Sequence, residues 1–272
     1  MSTPTPSAAQ RLYDAAARWV GRYARLADPK DLIDTAAQCL AEDLDSPSLR
    51  ILAGASYSGT ADEIGPLIES ALVELRIPQP GTIEPWKHVV AGGCTYFRLP
   101  TDTVRFEIRP VTDLLIDGHE VLVYVNDVEM TSVGAGMGMD PFDILIPSNR
   151  LVAKPEPHRV PIARCDCGTY GCGATDILIV RDGDVVHWEW EIEVPINHGV
   201  TFRADHYDAE VSRLEADHSV GTPGGHHRPV HPAPNRPSGA RGPWAHGQLG
   251  GQGLREPRPV QDCALDRRSG PA

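Results

Sequence analysis

Apolar positions recur every three to four residues through the first quarter of the chain and every second residue from about Thr103 onward. In the first stretch Leu12, Ala15, Ala16, Trp19, Val20, Tyr23 and Leu26 fall on one helical face. Ser7 and Gln10 ahead of them have the spacing of a capping box. Asp28-Pro29 supplies an N-cap and a proline for a first turn, and Leu32, Ile33, Ala36, Ala37, Leu40 and Leu44 continue the stripe. Ser46-Pro47 repeats the start signal, with Gly54 as a stop. Thr60 with Glu63 forms another capping box before Ile64, Leu67, Ile68, Ala71, Leu72 and Leu75. The pattern predicts a four-helix N-terminal unit over residues 5–77, its helices packed on one another through short connections.

Residues 78–102 read as a connector, rich in Pro and Gly, with one strand around Thr95–Leu99. Beyond it Val104, Phe106 and Ile108 alternate with charged residues, and Asp117-Gly118 marks a hairpin turn before the apolar strand Val121–Val125. Asp140-Pro141 opens a short helix through Phe142, Ile144 and Leu145, and strands resume near Arg159–Cys165. A second hairpin turns at Asp182-Gly183. Its return arm places Val186, Trp188, Trp190, Ile192 and Val194 on one face and His187, Glu189, Glu191 and Glu193 on the other, which predicts one face in the core and one in water. A last helix is expected from Asp205 to about Asp217, with Tyr207, Val211 and Leu214 inward. The fold class is α+β: the helical unit, then an antiparallel β-rich, sandwich-like domain over 103–218 that ends in a helix.

From Ser219 the periodicity stops. Residues 219–272 hold nine Pro and ten Gly, too little apolar surface to offset the entropy of ordering, so a disordered C-terminal tail is expected. Its Arg, Pro, Gly, Ala and His content fits either a natural flexible tail or the product of a shifted reading frame in GC-rich DNA.

Charge narrows the function classes. The total is −12, the tail carries +4, and the other 218 residues therefore carry −16. Such a body repels phosphate backbones, which argues against nucleic acid and permits a basic protein partner. The first residues lack the basic and apolar regions of a signal peptide, and no run approaches a membrane span, so a cytoplasmic location without membrane attachment is expected. Cys39, Cys94 and Cys263 are isolated, whereas Cys165, Cys167 and Cys172 are clustered, a usage that fits a reducing compartment.

That cluster is the sharpest chemical signal. Three thiols within eight residues of a glycine-containing turn can converge on one zinc ion, because thiolates suit zinc and a structural site takes four ligands. The fourth ligand is unknown. His158 has the wrong strand parity, and His187, taken to lie opposite Leu178, is too distant; Asp166, Asp176 and His198 stay open. The alternatives are a redox or catalytic thiol and a tight hairpin with buried cysteines. The run Gly134-Ala135-Gly136-Met137-Gly138 has Met139 where a nucleotide-binding loop needs its third glycine, and reads as a flexible surface loop. Gly54-Ala55-Ser56-Tyr57-Ser58 lacks the closing glycine of a nucleophile elbow. The acidic row Glu189, Glu191 and Glu193 could be a metal or acid–base face, or the solvated side of an edge strand.

The run from Arg164 to Cys172, the segment Arg181 to Trp190, Tyr207 to Val211 and Glu215 to His218 together resemble uncharacterised proteins common in actinobacteria, over most of residues 5–218. The resemblance implies shared ancestry but carries no activity and no residue roles. Those relatives continue into ordered chain where this sequence departs at about Val220, which supports the frame-shift reading. With no complete catalytic constellation, the expected function is a non-enzymatic interaction protein of immunity or regulatory type. The alternative is a zinc-binding protein, structural or hydrolase-like, with Cys165, Cys167 and Cys172 as ligands.

Overall fold

A computed structural model describes residues 5–19, 28–81, 84–111, 118–168 and 172–217. The expected tail over 219–272, the apolar positions Val20, Tyr23 and Leu26, and Asp117 of the first hairpin turn lie outside the described residues. Four helices come first: α1 Ala8–Trp19, α2 Lys30–Ala41, α3 Pro47–Ala53 and α4 Ala61–Glu74. Their starts are chemically specified. The Asp28 carboxylate accepts from the Lys30 amide at 2.9 Å, and the Ser46 hydroxyl accepts from the Leu49 amide at 3.3 Å ahead of Pro47. Glu63 reaches back to the Thr60 amide at 2.9 Å to complete its capping box. The box expected at α1 is only half made. Ser7 accepts from the Gln10 amide at 3.2 Å, but the Gln10 side chain turns away and donates to the Phe97 carbonyl at 2.7 Å.

The helical stripes meet in one core that includes Leu12, Tyr13, Trp19, Ile33, Leu49 and Ile68. Where one strand was expected, a short hairpin forms from β1 Val89–Ala91 and β2 Cys94–Tyr96. Tyr96 joins the helical core, its ring centroid 5.3 Å from that of Tyr13. The strand ends there because the following backbone is drawn against α1.

The remaining elements are β3 Val104–Pro110, β4 His119–Val125, β5 Val128–Glu129, α5 Met130–Val133, β6 Gly136–Gly138, α6 Pro141–Leu145, β7 His158–Cys165, β8 Ala174–Asp182, β9 Val185–Ile192, β10 Val200–Arg203 and α7 Ala204–Glu215. They form an antiparallel five-stranded sheet, β10-β9-β8-β7-β6, and an antiparallel three-stranded sheet, β3-β4-β5. The two sheets are also joined at two points. Val121 bridges Met139 antiparallel, and Asp102 bridges Phe202 in parallel. The result is closer to a flattened, nearly closed barrel than to the sandwich expected from sequence. Inside it pack Phe106, Val121, Ile162, Ile177, Trp188 and Phe202, with Tyr207, Val211 and Leu214 of α7. Side chains of α7 also cover the outer edge of β3: Glu210 accepts from the Phe106 amide at 2.8 Å, and Arg213 donates to the Phe106 carbonyl. Among the described residues, no helix is long and apolar enough to cross a membrane.

Two corrections concern β9. It lies between β8 and β10 and is not an edge strand. His187 is 1% exposed and is not on a wet face. The reason is tertiary: Trp86 of the connector lies 5.7 Å from its ring, and Thr201 of β10 bonds Nδ1 at 2.8 Å. Over Val186 to Trp190 the strand is therefore covered on both faces.

Buried ion chemistry ties the helical unit to the sheet. Asp14 of α1 is 4% exposed and Arg98 2%. Asp14 Oδ1 accepts from Arg98 Nε at 3.0 Å and from the Leu99 amide at 2.8 Å, and its Oδ2 accepts from Arg18 at 2.7 Å. Arg98 then donates to the Gly199 carbonyl at 3.0 Å. Asp102 completes the junction by accepting from the Thr201 amide at 2.7 Å and from Asn126 at 2.8 Å.

Candidate metal centre

The turn after β7 is built round Cys165. Its amide donates to the Gly173 carbonyl at 3.0 Å, which holds the start of β8 against the end of β7. Its carbonyl accepts from the Gly168 amide at 2.8 Å, and Gly168 takes a left-handed φ of 78° to close that turn. Cys167 is thereby folded back beside Cys165, and Cys172 arrives from the other side of the turn.

The sulfurs of Cys165, Cys167 and Cys172 lie within 4.8 Å of one another. Around a tetrahedral zinc with Zn–S bonds of about 2.3 Å, sulfurs stand about 3.8 Å apart, so small side-chain rotations suffice for all three to share an ion. Burial is not what gathers them: Cys165 is partly exposed, while Cys167 and Cys172 are exposed. That overturns the reading of a hairpin with simply buried cysteines. Hydrogen bonding to Cys165 and Cys167 pushes the Cys172 thiol up to about 11. A divalent cation reverses the balance, because three thiolates sharing one cation no longer repel.

The glycine run opposite the cluster is not a flexible loop. Gly136 pairs with Cys165 and Gly138 with Ala163, so the segment is strand β6, pressed between β4 and β7. A Cβ on Gly138 would lie 2.3 Å from the Val121 carbonyl oxygen. One on Gly136, where φ is 112°, would lie 2.0 Å from Asp166 Oδ1. The glycines are there because neighbouring backbone and the Asp166 carboxylate leave no room for a side chain.

No carboxylate or imidazole among the described residues joins the three sulfurs as they stand. His158 is engaged elsewhere, Nε2 lying 3.0 Å from the Arg150 carbonyl. His187 lies opposite Val180, not Leu178, because the two-residue loop pairs Asp182 with Val185. Its Nε2 bonds Glu189 at 2.8 Å. Asp176 is 1% exposed and faces Arg159 at 3.7 Å. The acidic row is thus divided: Glu189 serves His187, Glu191 pairs with Arg159, and Glu193, at a left-handed φ of 44°, places its carboxylate over Gly173. Alternation alone gives no sign of that last position, which depends on the break in β9 after Ile192.

His198, another candidate ligand, faces the helical unit and lines a cavity with Arg18 and Asp31. It bonds Asn197 at 2.7 Å and is held down to about 4 by burial and by the nearby Arg98 and Arg18 charges. Because the unfolded chain takes up the proton near 6.5, the stability contributed by neutral His198 is complete above that pH. It drains away as pH falls from about 6.5 to about 4, by roughly 3 kcal/mol in all. His198→Gln should flatten this part of the stability profile in denaturant titrations at stepped pH. The residual slope of the same sign belongs to His187, which burial also lowers. A variant as acid-sensitive as the parent would exclude His198 as the source.

Comparison of the chain with models of known families, with characterised proteins and with solved structures finds no match.

Proposed function

We propose that this protein is a metal-stabilised interaction protein that holds one zinc ion through Cys165, Cys167 and Cys172. The observation that carries the reading is the approach of the three sulfurs within 4.8 Å on an exposed turn, where burial cannot account for it. When bound, zinc supplies a cross-link between the two arms of the turn. Cys165 anchors it to β7, Cys172 to the start of β8, and Cys167 closes the side toward solvent. The role is structural: the ion fixes a surface turn that short-range hydrogen bonds alone hold weakly. The −16 charge of residues 1–218 supports a basic protein as the molecule that docks on this body.

Elemental analysis of the purified chain with a parallel thiol titration tests the metal. About one zinc per chain is expected, with three thiols protected until a chelator is added and a lowered melting temperature once it is. Histidines at 226, 227 and 231 can pick up metal too, so thiol protection is the deciding readout. An apoprotein whose three thiols react at once would end the reading.

A further inference from the structure

We infer that Glu193 is the fourth ligand of the thiolate site, so that three thiolates and one carboxylate tie the end of β9 to the turn between β7 and β8. The inference rests on the metal-binding reading and names the residue that completes it.

Three observations converge on Gly173. It follows Cys172 directly, and its carbonyl accepts from the Cys165 amide at 3.0 Å, so it sits between two of the three cysteines. The position a Cβ would take on it is 3.2 Å from both carboxylate oxygens of Glu193 and 3.5 Å from Cys165 Cβ. The missing side chain therefore leaves a space that the carboxylate enters beside the cluster. The Glu193 backbone is held for this purpose: φ is 44°, and its carbonyl accepts from the Thr175 hydroxyl at 3.2 Å. A glutamate rarely takes the left-handed region, where a side chain crowds the following carbonyl. Continued as a plain strand, Glu193 would point along the row of Glu189 and Glu191, away from the turn.

The chemistry agrees. Glu189 and Glu191 are each engaged by a cation or an imidazole, whereas the Glu193 carboxylate has no hydrogen bond or ion pair among the described residues. Carboxylate oxygen is a regular zinc ligand at about 2.0 to 2.2 Å. Three thiolates and one carboxylate leave the dication with a net charge of −2, tolerable at a surface position. On binding, the three thiols lose their protons to solvent.

The test uses the full chain and Co(II), whose sulfur-to-cobalt charge-transfer absorption reports thiolate ligation and ignores metal held by histidine alone. Affinity is read by competition with zinc and a chelator of known strength. Glu193→Gly removes the carboxylate while accepting the left-handed backbone, so misfolding does not confound it. Glu191→Gln removes a neighbouring charge without removing the ligand. Losing even an outer-shell partner of a metal typically costs about 10–100-fold, so Glu193→Gly should weaken metal binding by at least about tenfold while Glu191→Gln stays near the parent. Equal affinity in the parent and Glu193→Gly, with the thiolate band intact, would overturn the assignment and leave the three-cysteine site standing. A matching loss in Glu191→Gln would also overturn it, since charge and not ligation would then be the cause. Absence of the thiolate band in the parent would remove both readings.

Discussion

Replacing Asp14 by alanine should destabilise the protein by about 3–5 kcal/mol, the range for stripping one partner from a buried ion pair. Arg98 is 2% exposed, and among the described residues its charge is balanced inside the junction by Asp14 alone at hydrogen-bonding distance. Without that carboxylate the guanidinium remains buried with, among the described residues, only the Gly199 carbonyl to solvate it, the Leu99 amide loses its acceptor and Arg18 keeps only its weaker, exposed contacts such as Thr101. The cost arises from the charge left behind more than from the strength of the pair. The double variant Asp14→Leu with Arg98→Met should therefore recover much of the loss, as apolar replacements of buried pairs often do. Urea denaturation of the two single variants and the double closes the cycle. A change below about 1 kcal/mol in Asp14→Ala would mean that the helical unit and the sheet are not joined through this contact.

Trp188→Ala should cost a similar amount, about 3–5 kcal/mol, for a different reason. Trp188 is fully buried at the centre of the barrel. Its ring lies edge-on to Phe202 at 5.0 Å, to Tyr207 at 5.8 Å and to Trp190 at 6.3 Å, and it reaches Phe106 at 6.2 Å. It thus touches β3, β9, β10 and α7 together, and these elements cannot collapse onto the space left without breaking sheet pairing. Trp188→Phe retains a ring for the edge contacts and should cost less than half as much. Near-ultraviolet circular dichroism, which the coupled indoles dominate, gives an independent readout. A small loss in both variants would show that the site relaxes and that the core is less tightly fixed than its burial implies.

Several elements were legible because their signals are local. Ser46-Pro47, Thr60 with Glu63, and Asp140-Pro141 each start a helix with the side-chain bond expected of them. The turn at Asp182-Gly183 and the inward residues of α7 also follow from short-range pattern. The convergence of the three cysteines belongs to the same class, since one turn brings them together. What escaped depends on distant chain. His187 looked wet because nothing in β9 says that the connector and β10 cover that face. The glycines of β6 read as a loop because what crowds them, the Val121 backbone of β4 and the Asp166 carboxylate of the turn after β7, comes from elsewhere in the chain. Glu193 looked like the third member of a solvated row because its left-handed turn has no glycine to announce it. An alternation pattern fixes which residues share a face, but what lies against that face is decided elsewhere in the chain.

The seam that closes the barrel has a consequence for the order in which the molecule assembles. It joins Asp102 to Thr201, 99 positions apart, whereas the helical unit is built from neighbours in sequence. Contacts of such separation form late, after the loop entropy between them has been overcome. During synthesis the helices can settle while the sheet still lacks its last strand and α7. Until those emerge, the free edge of β3 and the aromatic interior face solvent together, the combination that invites pairing with another unfinished chain. In this fold the closing strand and helix of the barrel domain act as its lock, and a chain cut before them would be expected to aggregate.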